Sequence, residues 1–236
     1  MHPTPNDLSF RLFGFPIAIQ PFFWLIAAIL AAVYIGRFDN MQTWIAQMLA
    51  GMAGVLLSIL VHELGHAFSF RHVFHTPCAI VLHGFGGAAI PLQNYARGRG
   101  FHGMVANCFL SFSGPLAGFV LAFVLIVLFQ MIPAGDGFVT DLFLFFLQWT
   151  ITISIFWGIL NLVPIYPMDG GQITREMFLY FFPRRGVEYS LVLSMMLAIL
   201  LAVAAIMLFR MFIIAIFFGF FAYQNYQELT GRSFRR

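Results

Sequence analysis

The residues best suited to chemistry are His62-Glu63-Leu64-Gly65-His66, an H-E-x-x-H pattern on a segment whose length and composition are helical. Imidazoles at i and i+4 share one helix face, about 6 Å apart, which suits two ligands of one tetrahedral zinc ion. Glu63 sits one residue around, beside the open coordination position, where a carboxylate takes a proton from metal-activated water. The plainer reading is a buried polar cluster that holds helices together. A zinc site of this kind needs a third protein ligand, and the candidates are His72, His75, His83, His102 and the few acids. Asp169 stands out among them. It lies in N-L-V-P-I-Y-P-M-D-G-G (161–171), where Pro164 and Pro167 end a helix and Gly170 and Gly171 permit a close turn. An alternative role for Asp169 is the N-cap of a short helix starting near Gln172.

The elements that must position these residues belong to a membrane protein. The chain has 236 residues, 61% hydrophobic and 9% charged, with 31 Phe, and a mean hydropathy of +0.90. A soluble domain carries about a quarter charged residues and close to half apolar ones, so a soluble globular enzyme is excluded. High apolar content and glycines without a triplet period exclude disordered and collagen-like chains. A net charge of +3 and a pI near 9.1 do not signal nucleic acid here. The basic residues, all Arg, stand singly or in pairs between apolar runs and read as topology markers. Cys78 and Cys108 form no C-x-x-C pair, and the N-terminus lacks the basic region of a cleaved signal peptide.

Apolar runs near twenty residues give spans at about 22–36, 43–70, 104–132 and 141–163, the third interrupted by S-G-P-L-A-G (113–118). From Tyr189 to Tyr223 the chain is apolar except for Arg210, which fits two helices, about 189–209 and 211–226, joined by a tight turn. Six spans result. The segment 77–92 is apolar but short and broken by glycine, and fits a hairpin dipping into the bilayer with Gly86 and Gly87 near its turn. The fold expected is therefore an all-α polytopic membrane protein of about six transmembrane helices, with a small re-entrant β-hairpin or sheet on the cytoplasmic side. No repeat or second soluble domain is visible, so residues 1–236 read as a single membrane-embedded domain.

Arginine counts set the orientation. Arg11, Arg71, Arg97, Arg99, Arg175, Arg184, Arg185, Arg232, Arg235 and Arg236 fall on one side, and Arg37 and Arg210 on the other. Ten against two puts both termini in the cytoplasm of a multi-pass cell-membrane protein. Spans two and four then both run from outside to inside, which brings His62, His66 and Asp169 to the same leaflet. An ionisable residue inside a span costs roughly 2–3 kcal/mol or more unless partnered, which strengthens the catalytic-metal reading of the H-E-x-x-H.

H-E-L-G-H on a second membrane helix followed by N-x-x-P-x-x-P-x-D-G after a fourth resembles the site-2 protease family of intramembrane zinc metalloproteases. L-F-G-F-P-I-A-I-Q-P (12–21), L-H-G-F-G-G (82–87) and S-G-P-L-A-G (113–118) resemble the family's N-terminal strand, re-entrant hairpin and third helix, so the likeness covers nearly the whole chain. It implies His62, His66 and Asp169 as ligands of one Zn2+ per chain and Glu63 as general base. It also implies Asn161 as a side chain near the scissile carbonyl, suited to hydrogen-bonding substrate or oxyanion. The alternative for Asn161 is an amide satisfying backbone carbonyls freed by Pro164. Gln20 stands where many members have His, and no insertion the size of a PDZ domain or C-terminal CBS domain is visible, so the chain reads as a near-minimal membrane core.

The implied activity is hydrolysis of peptide bonds in or near transmembrane segments, in regulated intramembrane proteolysis, with single-span membrane proteins as substrates, the lipid bilayer as surroundings and no nucleic-acid partner. The hairpin around Gly84–Gly87 offers an open edge to which an extended substrate adds as a strand, and tight packing is the alternative use of those glycines. If the second span is helical over 43–70, His62 lies roughly 12 Å from its inner end. Two rivals belong to other classes. His62-x-x-x-His66 with His72-x-x-His75 resembles two histidine boxes of a membrane di-iron oxygenase, but such sites need about eight His and the chain has 7. A metal transporter is the other. Glu176 and Glu188 read as surface charges, and Arg210 as an anchor at the outer interface.

Overall fold

Long apolar stretches in a bilayer must satisfy their backbone internally, so they become helices, and irregular backbone survives only where protein covers it. The computed structural model describes residues 7–35, 40–84, 86–95, 98, 100–133, 137–208 and 210–233. Along them run β1 (Leu8–Leu12), β2 (Phe15–Ile19), α1 (Pro21–Ile35), α2 (Met41–Val73), β3 (Cys78–His83) and β4 (Gly86–Pro91), then α3 (Gly100–Met131), α4 (Phe138–Asn161), α5 (Asp169–Phe181), α6 (Gly186–Met207) and α7 (Phe212–Ser233). Arg37, Arg97, Arg99, Arg235 and Arg236, among the arginines that set the expected orientation, lie outside the described residues.

Among the described residues, α2, α3, α4 and α6 are long and apolar enough to cross a membrane, and α1 is a shorter apolar helix of 15 residues. The apolar part of α7 ends near Tyr223, after which Gln224, Asn225, Gln227 and Glu228 make its last turns polar. Phe123, Val127 and Met131 on α3, and Ile199, Val203 and Met207 on α6, are exposed at i, i+4, i+8 spacing. Such stripes are the faces a bilayer covers, and the protein is a multi-pass membrane protein.

The chain folds as two compact units, residues up to 95 with 113–159, and 96–112 with 160–236. The first holds the sheet, α1, α2, most of α3 and nearly all of α4. The second holds the start of α3 and α5 to α7.

In the first unit the strands form one sheet in the order β1-β2-β3-β4. The β1–β2 and β3–β4 pairs are antiparallel, while β2 and β3 are parallel, with Ile17 opposite Ile80. The hairpin expected at 77–92 is thus half of a four-stranded sheet. Period-2 alternation buries Phe15, Ile17 and Ile19 of β2 on one face with Cys78, Ile80 and Leu82 of β3. Arg71, near the end of α2, ties the β1–β2 turn to this helix: its Nη1 donates to the Phe13 carbonyl at 2.9 Å and its guanidinium lies 3.6 Å from the centre of the Phe15 ring. Helix α2 starts at Asn40, whose side chain accepts from Gln42 N–H at 2.8 Å. It ends with His75 at φ 47°, a left-handed residue after which Pro77 cannot continue a helix.

Helices α2 and α4 meet through small residues. Trp149 Nε1 donates to the Gly51 carbonyl at 3.0 Å, Ser58 Oγ to the Thr150 carbonyl at 3.2 Å and Ser154 Oγ to Ser58 Oγ at 2.9 Å. Such bonds and close backbones replace the hydrophobic effect, which gives no net attraction between helices already in lipid. The expected break at S-G-P-L-A-G does not occur. Helix α3 runs unbroken through Pro115, as membrane helices tolerate where neighbouring groups take up the freed carbonyl.

In the second unit, Ile165 and Met168 pack with Ala198 of α6 and with Phe218 and Ala222 of α7. Arg210, at φ 53°, sits at the sharp reversal between α6 and α7, where Met211 N–H donates to the Ala205 carbonyl at 2.9 Å.

Candidate metal centre

Helix α2 buries His62, Glu63 and His66, which are 3%, 4% and 9% exposed. One helical turn apart, the two imidazoles present the same ring nitrogen to a common point, with Nε2 to Nε2 3.3 Å apart. The space beside them is held open by Gly114 of α3, where a Cβ would collide with His66 Nε2 and stand 2.8 Å from His62 Nε2. Close approach of α2 and α3 depends likewise on Gly65, whose Cβ would strike the Ser113 carbonyl. The S-G-P-L-A-G segment therefore passes close to both imidazoles without placing a side chain against them. The sequence carried it only as a motif of the family, without revealing what Gly114 does.

The hairpin lies against the same stretch of α2. A Cβ on Gly87 of β4 would run into the Glu63 side chain, and one on Gly86 would stand 2.6 Å from Trp157 Cζ2 of α4. Gly86 also has φ 124°, a conformation that L side chains rarely adopt. Both glycines are thus required by packing, and Gly87 brings strand backbone against Glu63. His83 closes the β3 side of the turn opposite Gly86, and burial lowers its imidazole pKa below the ordinary value.

Asp169 belongs to the second unit. It is 7% exposed and is the first helical residue of α5, whose N-cap is Met168. The reading of Asp169 as the N-cap of a helix starting near Gln172 is therefore corrected: the helix starts three residues earlier. Gly170 and Gly171 let α5 start tightly against its own loop, because a Cβ on either would strike backbone of 162–166. Asn161 is the last residue of α4 and is half-buried. Glu176, expected on the surface, is 8% exposed and accepts from Asn107 Nδ2 at 2.9 Å. Its two-turn spacing from Asp169 along α5 gave that side chain an inward face the composition alone did not reveal. Glu188 is exposed, as expected.

His72, His75 and His102 are exposed. The second histidine box of a di-iron site therefore has no buried counterpart to His62 and His66, and His75 serves the end of α2. Within the first unit His62 and His66 offer two buried imidazoles, and within the second Asp169 offers a buried carboxylate. Two nitrogen donors and one oxygen donor suit zinc in a site that keeps a position open for reaction.

Residues 131–203, which span α4, the 161–171 segment, α5 and most of α6, match the model of peptidase family M50. The resemblance to site-2 proteases read from the sequence is borne out. The chain is 26% identical over 172 residues to the zinc metalloprotease MJ0392 of Methanocaldococcus jannaschii, an alignment that covers 70% of this chain and 43% of that relative, less than half of the relative's length. Its fold is like that of the site-2 protease from Methanocaldococcus jannaschii, with a TM-score of 0.58, 21% identity, and coverage of 94% of this chain and 95% of the other.

Proposed function

We propose that the protein is an intramembrane zinc metalloprotease that hydrolyses peptide bonds in or near transmembrane segments of membrane proteins. The observation that carries this reading is the pair of Nε2 atoms 3.3 Å apart, with Glu63 one residue away and Gly114 placing no side chain against them. His62, His66 and Asp169 would hold the ion, one Zn2+ per chain. A zinc ion bound there supplies Lewis-acid chemistry, polarising the scissile carbonyl and making water more acidic. Glu63 takes the proton from the attacking water at its carboxylate and passes it to the leaving amine. Asn161 donates a hydrogen bond toward the oxyanion. The substrate, a single-span membrane protein, unwinds and lies extended along β4, whose outer edge pairs with no other described strand. Gly86 and Gly87 form the substrate-binding end of that strand, Gly87 lying against Glu63. In this reading six segments cross the membrane, both termini and the sheet are cytoplasmic, and the chain acts in regulated intramembrane proteolysis.

Reconstitution of the wild type and Glu63→Gln with single-span substrates tests the assignment. Loss of a carboxylate base removes about a hundredfold or more of rate, so Glu63→Gln should retain one zinc per chain and cleave at least that much more slowly. Cleavage at the wild-type rate by the zinc-loaded variant would overturn it. Metal analysis separates the other classes: two irons per chain would indicate an oxygenase, and metal exchange across sealed vesicles a transporter.

A further inference from the structure

The loop 162–168 delivers Asp169 to the start of α5; Val163, Ile165 and Met168 N–H donate to carbonyls of Leu160, Val163 and Ile165 in local turns, and Tyr166 N–H takes no part in them. Buried backbone groups in such a segment must find partners elsewhere. Tyr166, three residues before Asp169, finds both of its partners on side chains of the last two helices. Its N–H donates to Ser194 Oγ of α6 at 3.1 Å, and its carbonyl accepts from Asn225 Nδ2 of α7 at 2.7 Å. Ser194 and Asn225 are 0% and 1% exposed. The Tyr166 ring is covered by the Arg175 guanidinium, 4.6 Å from its centre, and Arg175 in turn pairs with Glu228 of α7 at 3.0 Å. Around these polar contacts, Ile165 and Met168 fit between Ala198, Phe218 and Ala222. Polar contacts from α6, α7 and α5 therefore converge on one loop residue, while the surrounding packing of α6 and α7 is apolar.

We propose that Asn225, together with Ser194, is a positioning residue for the metal site. By holding the two backbone groups of Tyr166, the side chains fix where the following Asp169 carboxylate points, so the C-terminal helix is part of the metal-holding machinery and not only a membrane anchor. This rests on the reading of Asp169 as a metal ligand. Asn225 touches neither ion nor substrate, and it acts through loop backbone. A carboxylate ligand left free to swing binds its metal more weakly, and loss of such supporting bonds typically costs 10–100-fold in metal affinity.

The test uses the full chain in detergent, with zinc affinity measured by chelator competition, the visible absorption of the cobalt(II)-loaded protein as a probe of ligand geometry, and thermal melting as a check on folding. Asn225→Ala should weaken zinc binding about tenfold and alter the cobalt spectrum. Asn225→Asp, of the same shape but without the donating N–H, should do the same. Thr230→Ala, which removes a hydroxyl bonded only within α7, should leave both unchanged. Wild-type zinc affinity and cobalt spectrum in the Asn225 variants, alongside metal loss in Asp169→Ala, would overturn the positioning role alone. Retained zinc in Asp169→Ala would overturn the ligand assignment and the positioning role with it. If Asn225→Ala fails to fold, Ser194→Ala decides: a weakened zinc affinity supports the proposal, and wild-type affinity defeats it.

Discussion

At the scale of single residues, the site depends as much on what is missing as on what is present. Gly114 contributes no side chain, and that lets α3 pass beside the two imidazoles of α2 without colliding with them. Gly114→Ala should therefore reduce bound zinc several-fold even though no ligand is changed, because the new methyl occupies the space beside His66 Nε2. Metal content of the purified variant checks this, and wild-type content would show that α3 shifts away at little cost. A ligand deletion sets the scale for comparison: Asp169→Ala should lose most bound zinc. His62, Glu63 and His66 could be singled out in the sequence because ionisable residues are costly within an apolar span, and Asp169 because it follows a span broken by Pro164 and Pro167. Gly114 was visible only as a motif letter, since nothing about a glycine announces which side chain it makes way for.

At the scale of elements, the helices of the first unit are held by close backbones and hydroxyl bonds. A Cβ on Gly54 of α2 would stand 2.7 Å from Thr150 Oγ1 of α4, and one on Gly51 would stand 2.7 Å from Ala31 Cβ of α1. Gly54→Val should accordingly destabilise the fold by about 1–3 kcal/mol, the usual result of overfilling a packed interface. Ser58→Ala, which removes one interhelical hydroxyl, should cost only about 0.6 kcal/mol. Denaturation in mixed micelles measures both, and equal effects would mean that hydrogen bonding matters as much as close packing here. The spans at 43–70 and 141–163 could be read from apolar length, since α2 covers the first and α4 the second as far as Asn161. The continuity of α3 through Pro115 could not, because a proline removes a helical hydrogen bond and reads as a breaker in sequence. The parallel pairing of β2 with β3 was equally hidden: the strands lie about sixty residues apart in sequence, and no local pattern encodes a partner at that distance.

At the scale of the whole molecule, the arrangement proposed is six spans with cytoplasmic termini. A reporter fused to either terminus should be reached by protease or label only from the cytoplasmic face of oriented vesicles, and a cysteine introduced at Arg210 only from the opposite face. Labelling of Arg210 and the C-terminus from the same face would mean that α7 does not cross, and the count of spans would fall. Among the described residues four helices meet the length and composition of a full span, so the contributions of α1 and α7 are what this measurement decides.

Composition and spacing alone determined that the bilayer is the solvent, that two histidines and a glutamate share a helix turn, and that an aspartate follows a proline-broken span. These are local properties, fixed by side-chain type and by the 3.6-residue period. Tertiary structure decided the rest: that Asp169 opens a helix and does not cap one, that Glu176 is buried, that Gly87 lies against Glu63, and that Asn225 reaches a loop carbonyl 59 residues earlier in the chain. Each is set by contacts between distant segments, where the partner's identity, and not the residue's own type, determines the role.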